Sequence, residues 1–93
     1  MAVTVTPVAA GNNSKRWRVT FALDADTTAT IAHGLIDAPN FVIGPSPLNA
    51  QAYVGQVART TVDATNIVLT KNTAVGSGGA VVEVIAFRPG FGL

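Results

Sequence analysis

The 93-residue sequence contains no cysteine and only one histidine, His33. Without cysteine there are no disulfides and no thiolate ligands, and one histidine is too few for an ordinary zinc site. Charge is also scarce: 12% of the residues are charged, against about 25% in a typical soluble domain. The net charge of +1 lacks the basic excess typical of nucleic-acid-binding domains. We therefore expect no metal, no cofactor and no nucleic-acid partner.

Signals for secretion and for membrane insertion are missing as well. Residues 1–10 carry no positive charge, and Thr4 and Thr6 interrupt their apolar residues, unlike a signal peptide. The longest uncharged stretch, Ala38 to Ala58, contains three prolines and is unsuited to spanning a bilayer. We expect a soluble chain that begins at Met1 and has no membrane partner.

The length of the chain limits the core that it can build. A domain of this size buries only about 60% of the surface of its unfolded chain, and small domains are often stabilised by disulfides, metals or oligomerisation. Hydrophobic residues nevertheless make up 48% of the sequence. We therefore expect one domain that covers part of its surface by assembly. The alternative is a monomer with a surface rich in threonine, asparagine and serine.

Strand patterns dominate the sequence. In the clearest of them, Lys15 to Leu23, the side chains of Trp17, Val19, Phe21 and Leu23 fall on one face, which is typical of a half-buried strand with Trp17 in the core. The strands predicted are Ala2–Val8, Lys15–Leu23, Thr27–Ala32, Asn40–Gly44, Gln51–Thr60, Ile67–Thr70 and Ala80–Arg88.

No segment has an apolar period of 3.6 residues over the length of a helix, and a short helix fits only between Ala50 and Ala58. Pro45 and Pro47 are expected to end the fourth strand. The sequence predicts an all-β fold, a small antiparallel β-sandwich or barrel of about six to seven strands. We expect one domain over 1–93, with an N-terminal arm or strand and loop (1–14), a β core (15–88) and a C-terminal tail (89–93).

The residues offer little for catalysis. His33 is the only natural general base, and no activated nucleophile accompanies it. We therefore expect it either to cap a turn or to sit against a neighbouring strand, with its ring nitrogens satisfied. Asp24 and Asp26 flank one alanine; paired carboxylates can hydrolyse glycosides, but in a turn they are expected to bond nearby backbone. Gly76 to Gly79 lead into a strand instead of a helix, which favours a hairpin loop over a phosphate site. We expect no enzyme and no catalytic residues.

One stretch resembles a known pattern. Thr28 to Leu35 (TATIAHGL) and Ala38 to Ile43 (APNFVI) are similar to small structural β-domains of bacteriophages, which have a Thr-rich strand, a His-Gly-Leu corner, a linker with proline and an apolar strand. The strands Thr65–Thr70 and Val81–Phe87 extend the resemblance to about two-thirds of the chain. Such domains occur as head decoration or cement proteins, and as modules of tail, fibre or baseplate proteins.

The resemblance implies a capsid decoration protein on the virion surface, synthesised in the cytoplasm of the host cell. Such a protein binds the outer surface of the assembled head, stabilises contacts between major capsid proteins and associates with itself, for example as a trimer. The alternative is a tail, fibre or baseplate module that binds a receptor or carbohydrate; it would need aromatics in loops, whereas Trp17 and Tyr53 fall in predicted strands. The candidate interface residues are Val3 and Val5 on the arm, the arginines Arg16, Arg18, Arg59 and Arg88, and Phe91 and Leu93 on the tail.

Overall fold

The computed structural model describes residues 3–11, 13–35, 39 and 41–88. Its elements are β1 (Val3–Ala10), β2 (Ser14–Phe21), β3 (Thr28–Ala32), β4 (Phe41–Pro47), α1 (Ala50–Gly55), β5 (Ala58–Val62), β6 (Asn66–Thr70) and β7 (Ala80–Phe87). They form one sheet with the strand order β1-β2-β7-β4 and a second with the order β3-β6-β5. The prediction of an all-β sandwich is confirmed. Among the described residues the sheets do not close into a barrel.

The core lies between the two sheets and follows the alternation of β2 and β7. Residues that face each other across this strand pair share a face of the sheet. Trp17, Val19 and Phe21 therefore point inward together with their partners on β7, which are Val84, Val82 and Ala80. The second sheet contributes Ala29, Ile31, Ile67 and Leu69. The prediction that Trp17 belongs to the core is confirmed, since its exposed fraction is 5%.

The strand register places the connections at two opposite ends of the sandwich. Phe21 pairs with Ala80, and Thr28 pairs with Thr70, so the connections 22–27, 48–57 and 71–79 lie together. We call this set of residues the loop end. The described residues of the connections from β1 to β2, from β3 to β4 and from β5 to β6, which are 11, 13, 33–35, 39 and 63–65, lie at the opposite end, which we call the turn end.

The predicted ends of the fourth and second strands were wrong. Strand β4 continues through Pro47. Proline is tolerated there because β4 is an edge strand, and a proline nitrogen that faces the open side has no neighbouring strand to which it would donate. Strand β2 ends at Phe21, so Leu23 leaves the buried face and is 50% exposed.

A short helix replaces the first half of the strand that was predicted over 51–60. The Asn49 side chain accepts a hydrogen bond from Ala52 N at 3.1 Å, which satisfies one of the free N–H groups at the helix start. The helix ends at Gln56, whose left-handed backbone (φ 47°) brings its N–H to Tyr53 O. The helix depends on these two caps, and it lies in the one window that the sequence left open for it.

Candidate functional site: the loop end

A buried lysine joins the three connections of the loop end. Lys71 is only 4% exposed, and its Nζ donates to Asp24 O at 3.0 Å, to Asn72 O at 2.9 Å and to Ser77 Oγ at 2.9 Å. The same Nζ lies 6.0 Å from the centre of the Phe21 ring. A charged group is tolerated inside a protein when its donors are all satisfied, and here three oxygens surround the ammonium group.

The Lys71 stem runs against helix α1 at a glycine. A Cβ atom at Gly55 would lie 2.7 Å from Lys71 Cγ, which is closer than two non-bonded carbon atoms approach each other. Asn72 N also donates to Gly55 O at 3.0 Å. A side chain at position 55 would therefore displace the lysine from its three acceptors.

Hydrogen bonds of Asp24 link the turn after β2 to the loop before β7. Its carboxylate accepts hydrogen bonds from Gly78 N at 2.6 Å and from Gly76 N at 3.3 Å. Asp26 instead accepts from Leu23 N at 3.0 Å and is buried. Both acids therefore bond backbone amides, as predicted, but Asp24 does so across more than 50 residues of sequence.

Asn49 completes the set of cross-links. Its Nδ2 donates to Gly79 O at 2.8 Å, and its Oδ1 accepts from Val81 N at 3.1 Å as well as from the first turn of α1. The helix is thereby tied to the start of β7. All three connections of the loop end are held by polar side chains that reach backbone groups of another connection.

Exposed apolar side chains lie on this cross-linked end. Among the described residues seven large apolar side chains are exposed, and five of them belong to the loop end. These five are Leu23, Leu48, Tyr53, Val54 and Val75. Val75 is 93% exposed and Tyr53 is 71% exposed. The expectation that Tyr53 lies in a strand was wrong, because it stands on helix α1.

The pair formed by Ser77 and Lys71 resembles the nucleophile and base of a Ser-Lys hydrolase only in its distance. Ser77 is completely buried, so a substrate has no access to its Oγ. Lys71 directs all three of its protons to oxygens, which leaves no lone pair to accept the Ser77 proton. This geometry serves to hold the loops together.

His33 plays a comparable part at the turn end. The ring is 1% exposed; Nδ1 accepts from Leu35 N at 3.0 Å, so the Nε2–H group donates to Asp63 O, 2.8 Å away. The prediction of a structural His33 with both ring nitrogens satisfied is confirmed. The Asp63 carboxylate caps the neighbouring turn between β5 and β6, where the backbone N–H groups of Asn66 and Thr65 hold its pKa below the ordinary value.

Replacing His33 by alanine is expected to destabilise the domain by about 2–3 kcal/mol, because the buried N–H of Leu35 and the part-buried Asp63 O lose their partner and the ring leaves a cavity. The His33→Asn variant should recover part of this loss, since an asparagine oxygen can bond the amide two residues ahead. Urea unfolding of the three proteins measures the difference. Equal stability of the alanine variant and the unchanged protein would contradict this role for His33.

The predicted interface arginines lie on separate surfaces. Arg16 and Arg18 point outward from the four-stranded sheet, where Arg16 Nε lies 3.5 Å from Glu83 Oε1. Arg59 Nη1 donates to Val42 O at 3.0 Å and to Gly44 O at 3.1 Å, so it joins the β5 edge to β4. The structure does not gather these side chains into one site.

The candidate interface residues near the two ends of the chain differ in their surroundings. Strand β1 pairs with β2 in the same sheet, and Val3 and Val5 pack half-buried against the core of their own chain. Arg88 continues β7 and its N–H donates to Asn13 O at 2.8 Å. Phe91 and Leu93 lie outside the described residues. The N-terminal segment therefore forms part of the sandwich, with one edge still open.

The outer face of the four-stranded sheet is the second apolar surface. The side chains of Ile43, Val81, Ile85 and Phe87 are half-buried there, around the ion pair between Arg16 and Glu83. Apart from Glu83, strand β7 is thus apolar on both of its faces, a pattern usual for strands that are covered on both sides.

The loop end was missed by the sequence reasoning for the most part. Asn49 before three residues that favour helix was one available signal, and Val75 directly before the turn-forming residues 76–79 was another. Nothing local marks Lys71 as buried, because its acceptors come from distant parts of the chain.

Comparison of the chain with protein-family models, curated proteins and solved structures found no match. Within the described ranges, no three His, Cys, Asp or Glu residues are grouped so as to hold a metal ion. The described part of the chain also has no helix of sufficient length and apolarity to cross a membrane.

Proposed function

We propose that this protein is a bacteriophage capsid decoration protein that docks on the outer surface of the assembled head. The observation that carries the proposal is the loop end, where exposed apolar side chains such as Tyr53 and Val75 stand on connections fixed by buried hydrogen bonds. Loops held by a scaffold are where binding surfaces are commonly found. The phage setting comes from the resemblance of residues 28–43.

The loop end suits binding without chemistry. Apolar surface removed from water contributes about 25 cal/mol per Å², and loops that are already ordered lose little conformational entropy on binding. A protein that binds only the mature shell stabilises that state by mass action. The contact sites proposed on this protein are the loop end first and the outer face around Ile85 second.

The test is to add purified protein to mature shells that lack it and to follow co-sedimentation and heat denaturation. We expect saturable binding and a higher melting temperature of the shells, with a stabilisation of about 2.7 kcal/mol per site when free protein is at a hundred times its dissociation constant. Precursor shells before expansion are the matched control and should bind weakly. An unchanged melting temperature with no co-sedimentation would refute decoration.

A second candidate function is a receptor- or carbohydrate-binding module of a tail, fibre or baseplate. The exposed Tyr53 ring on α1 favours it, since an aromatic side chain outside the strands is what such a module needs. The same purified protein added to intact host cells and to isolated tails separates the two candidates. Binding to cells or tails, with none to shells, would support the second function in place of the first.

A further inference from the structure

In the described part of the sandwich, three of the four edge strands carry features that hinder pairing with another chain. Strand β1 contains Pro7 and a register shift beside it. Strand β4 contains two prolines, and two of its backbone carbonyl groups accept hydrogen bonds from Arg59. Strand β5 carries Arg59 and a second register shift. Prolines, bulges and charges are the usual means by which proteins block sheet edges.

Strand β3 is the edge without such features. Its sequence Thr28–Ala32 contains no proline and no charge, and its pairing with β6 is continuous from Thr28 to Ala32. Among the described residues, β6 is the only strand that pairs with it. An uncharged, regular edge of this kind is a template for another strand.

The register shows which backbone groups of β3 face the open side. Thr27 O accepts from Lys71 N at 2.8 Å, and His33 N donates to Thr65 O at 3.1 Å. Because hydrogen bonding alternates along an antiparallel pair, the odd-numbered residues of β3 bond β6. The N–H and C=O groups of Thr28, Thr30 and Ala32 therefore point to the open edge, and these three residues are exposed.

We propose that β3 pairs with β3 of a second copy of this chain, antiparallel about a twofold axis at Thr30. The two three-stranded sheets then become one continuous sheet, joined by about six backbone hydrogen bonds. Thr30 faces Thr30 of the other copy, and Thr28 faces Ala32. Ala29 and Ile31 stay on the inner face, so the paired strands extend both cores.

The side chains of β3 favour a second copy over a foreign strand. Antiparallel self-pairing brings no like charges together, and a threonine pair across two strands is favourable. A foreign strand is ordinarily selected by pockets or charges beside the edge. Strand β3 has no charged residue, and the cavity next to it is lined by Ala32 at its end and not by Thr28 or Thr30. The pairing does not depend on the proposed capsid function and would hold for either candidate.

Sedimentation equilibrium over a concentration series tests the proposal, with Thr30→Lys and Thr61→Lys as matched variants. Both threonines are exposed on edge strands of the same sheet. Thr30→Lys places two ammonium groups at the twofold axis and is expected to raise the dimer dissociation constant at least about a hundredfold. Thr61→Lys should leave dimerisation unchanged.

Amide hydrogen exchange of the unchanged protein gives a second measurement that needs no variant. We expect the amides of Thr28, Thr30 and Ala32 to exchange more slowly above the dissociation constant than below it. The proposal would be overturned by a wild-type chain that stays monomeric at millimolar concentration, by oligomers that Thr30→Lys leaves intact, or by a monomer that accepts only a strand of another protein.

Discussion

The Lys71→Met variant is expected to lose about 3 kcal/mol of unfolding free energy, the largest stability effect of any single change considered for this chain. Methionine fills the volume of the lysine stem but donates nothing to Asp24 O, Asn72 O and Ser77 Oγ. Removing the ammonium group also removes the cost of burying it, which offsets part of the loss. The loss still outweighs the gain, because three oxygens remain inside the protein without their donor.

The control for this variant is Lys15→Met, which replaces the other lysine of the chain. Lys15 is half-buried on β2, and its replacement should change the unfolding free energy by less than about 1 kcal/mol. Chemical denaturation measures both variants. Amide exchange should also become faster in residues 71–79 of Lys71→Met. If Lys71→Met is as stable as Lys15→Met, the lysine does not hold the loop end together.

The second large effect is on docking. The double variant Tyr53→Asp with Val75→Asp is expected to weaken binding to mature shells at least about a hundredfold. Both positions are expected to be buried against the shell, and burying two carboxylates there would cost their hydration. The unfolding free energy should change by less than about 1 kcal/mol, since both side chains are exposed. A binding titration on shells, with denaturation in parallel, separates docking from folding.

A matched control uses the exposed valines away from the loop end. Val8 is 44% exposed and Val62 is 36% exposed, and both lie toward the turn end. The double variant Val8→Asp with Val62→Asp introduces the same charge and should bind shells as the unchanged protein does. Equal weakening by both double variants would mean that net charge, and not the loop end, decides binding.

The sandwich could be predicted from the sequence because apolar and polar residues alternate along its strands. Trp17, Val19 and Phe21 alternate with polar residues on β2, and that alternation alone identifies the buried face. His33 before Gly34 likewise indicated a turn. These features depend on neighbours within a few residues, which a single sequence displays.

The loop end could not be predicted from the sequence in the same way. Lys71 is buried because Asp24 O, 47 residues away, comes within hydrogen-bond distance when the sheets pack. Helix α1 is six residues long, too short for an apolar period, and depends on caps such as Asn49. The exposure of Tyr53 follows from that helix. Tertiary contacts therefore determine the candidate site, whereas local pattern determines most of the strands.

The most direct test of the central claim, that the loop end is the surface with which this protein binds a capsid, is an electron cryomicroscopy map of mature shells saturated with the purified protein. The account predicts density for the sandwich on the outer surface of the shell, with Tyr53 and Val75 against the major capsid protein and the turn end facing solvent. Density attached through the turn end, or shells without added density, would contradict it.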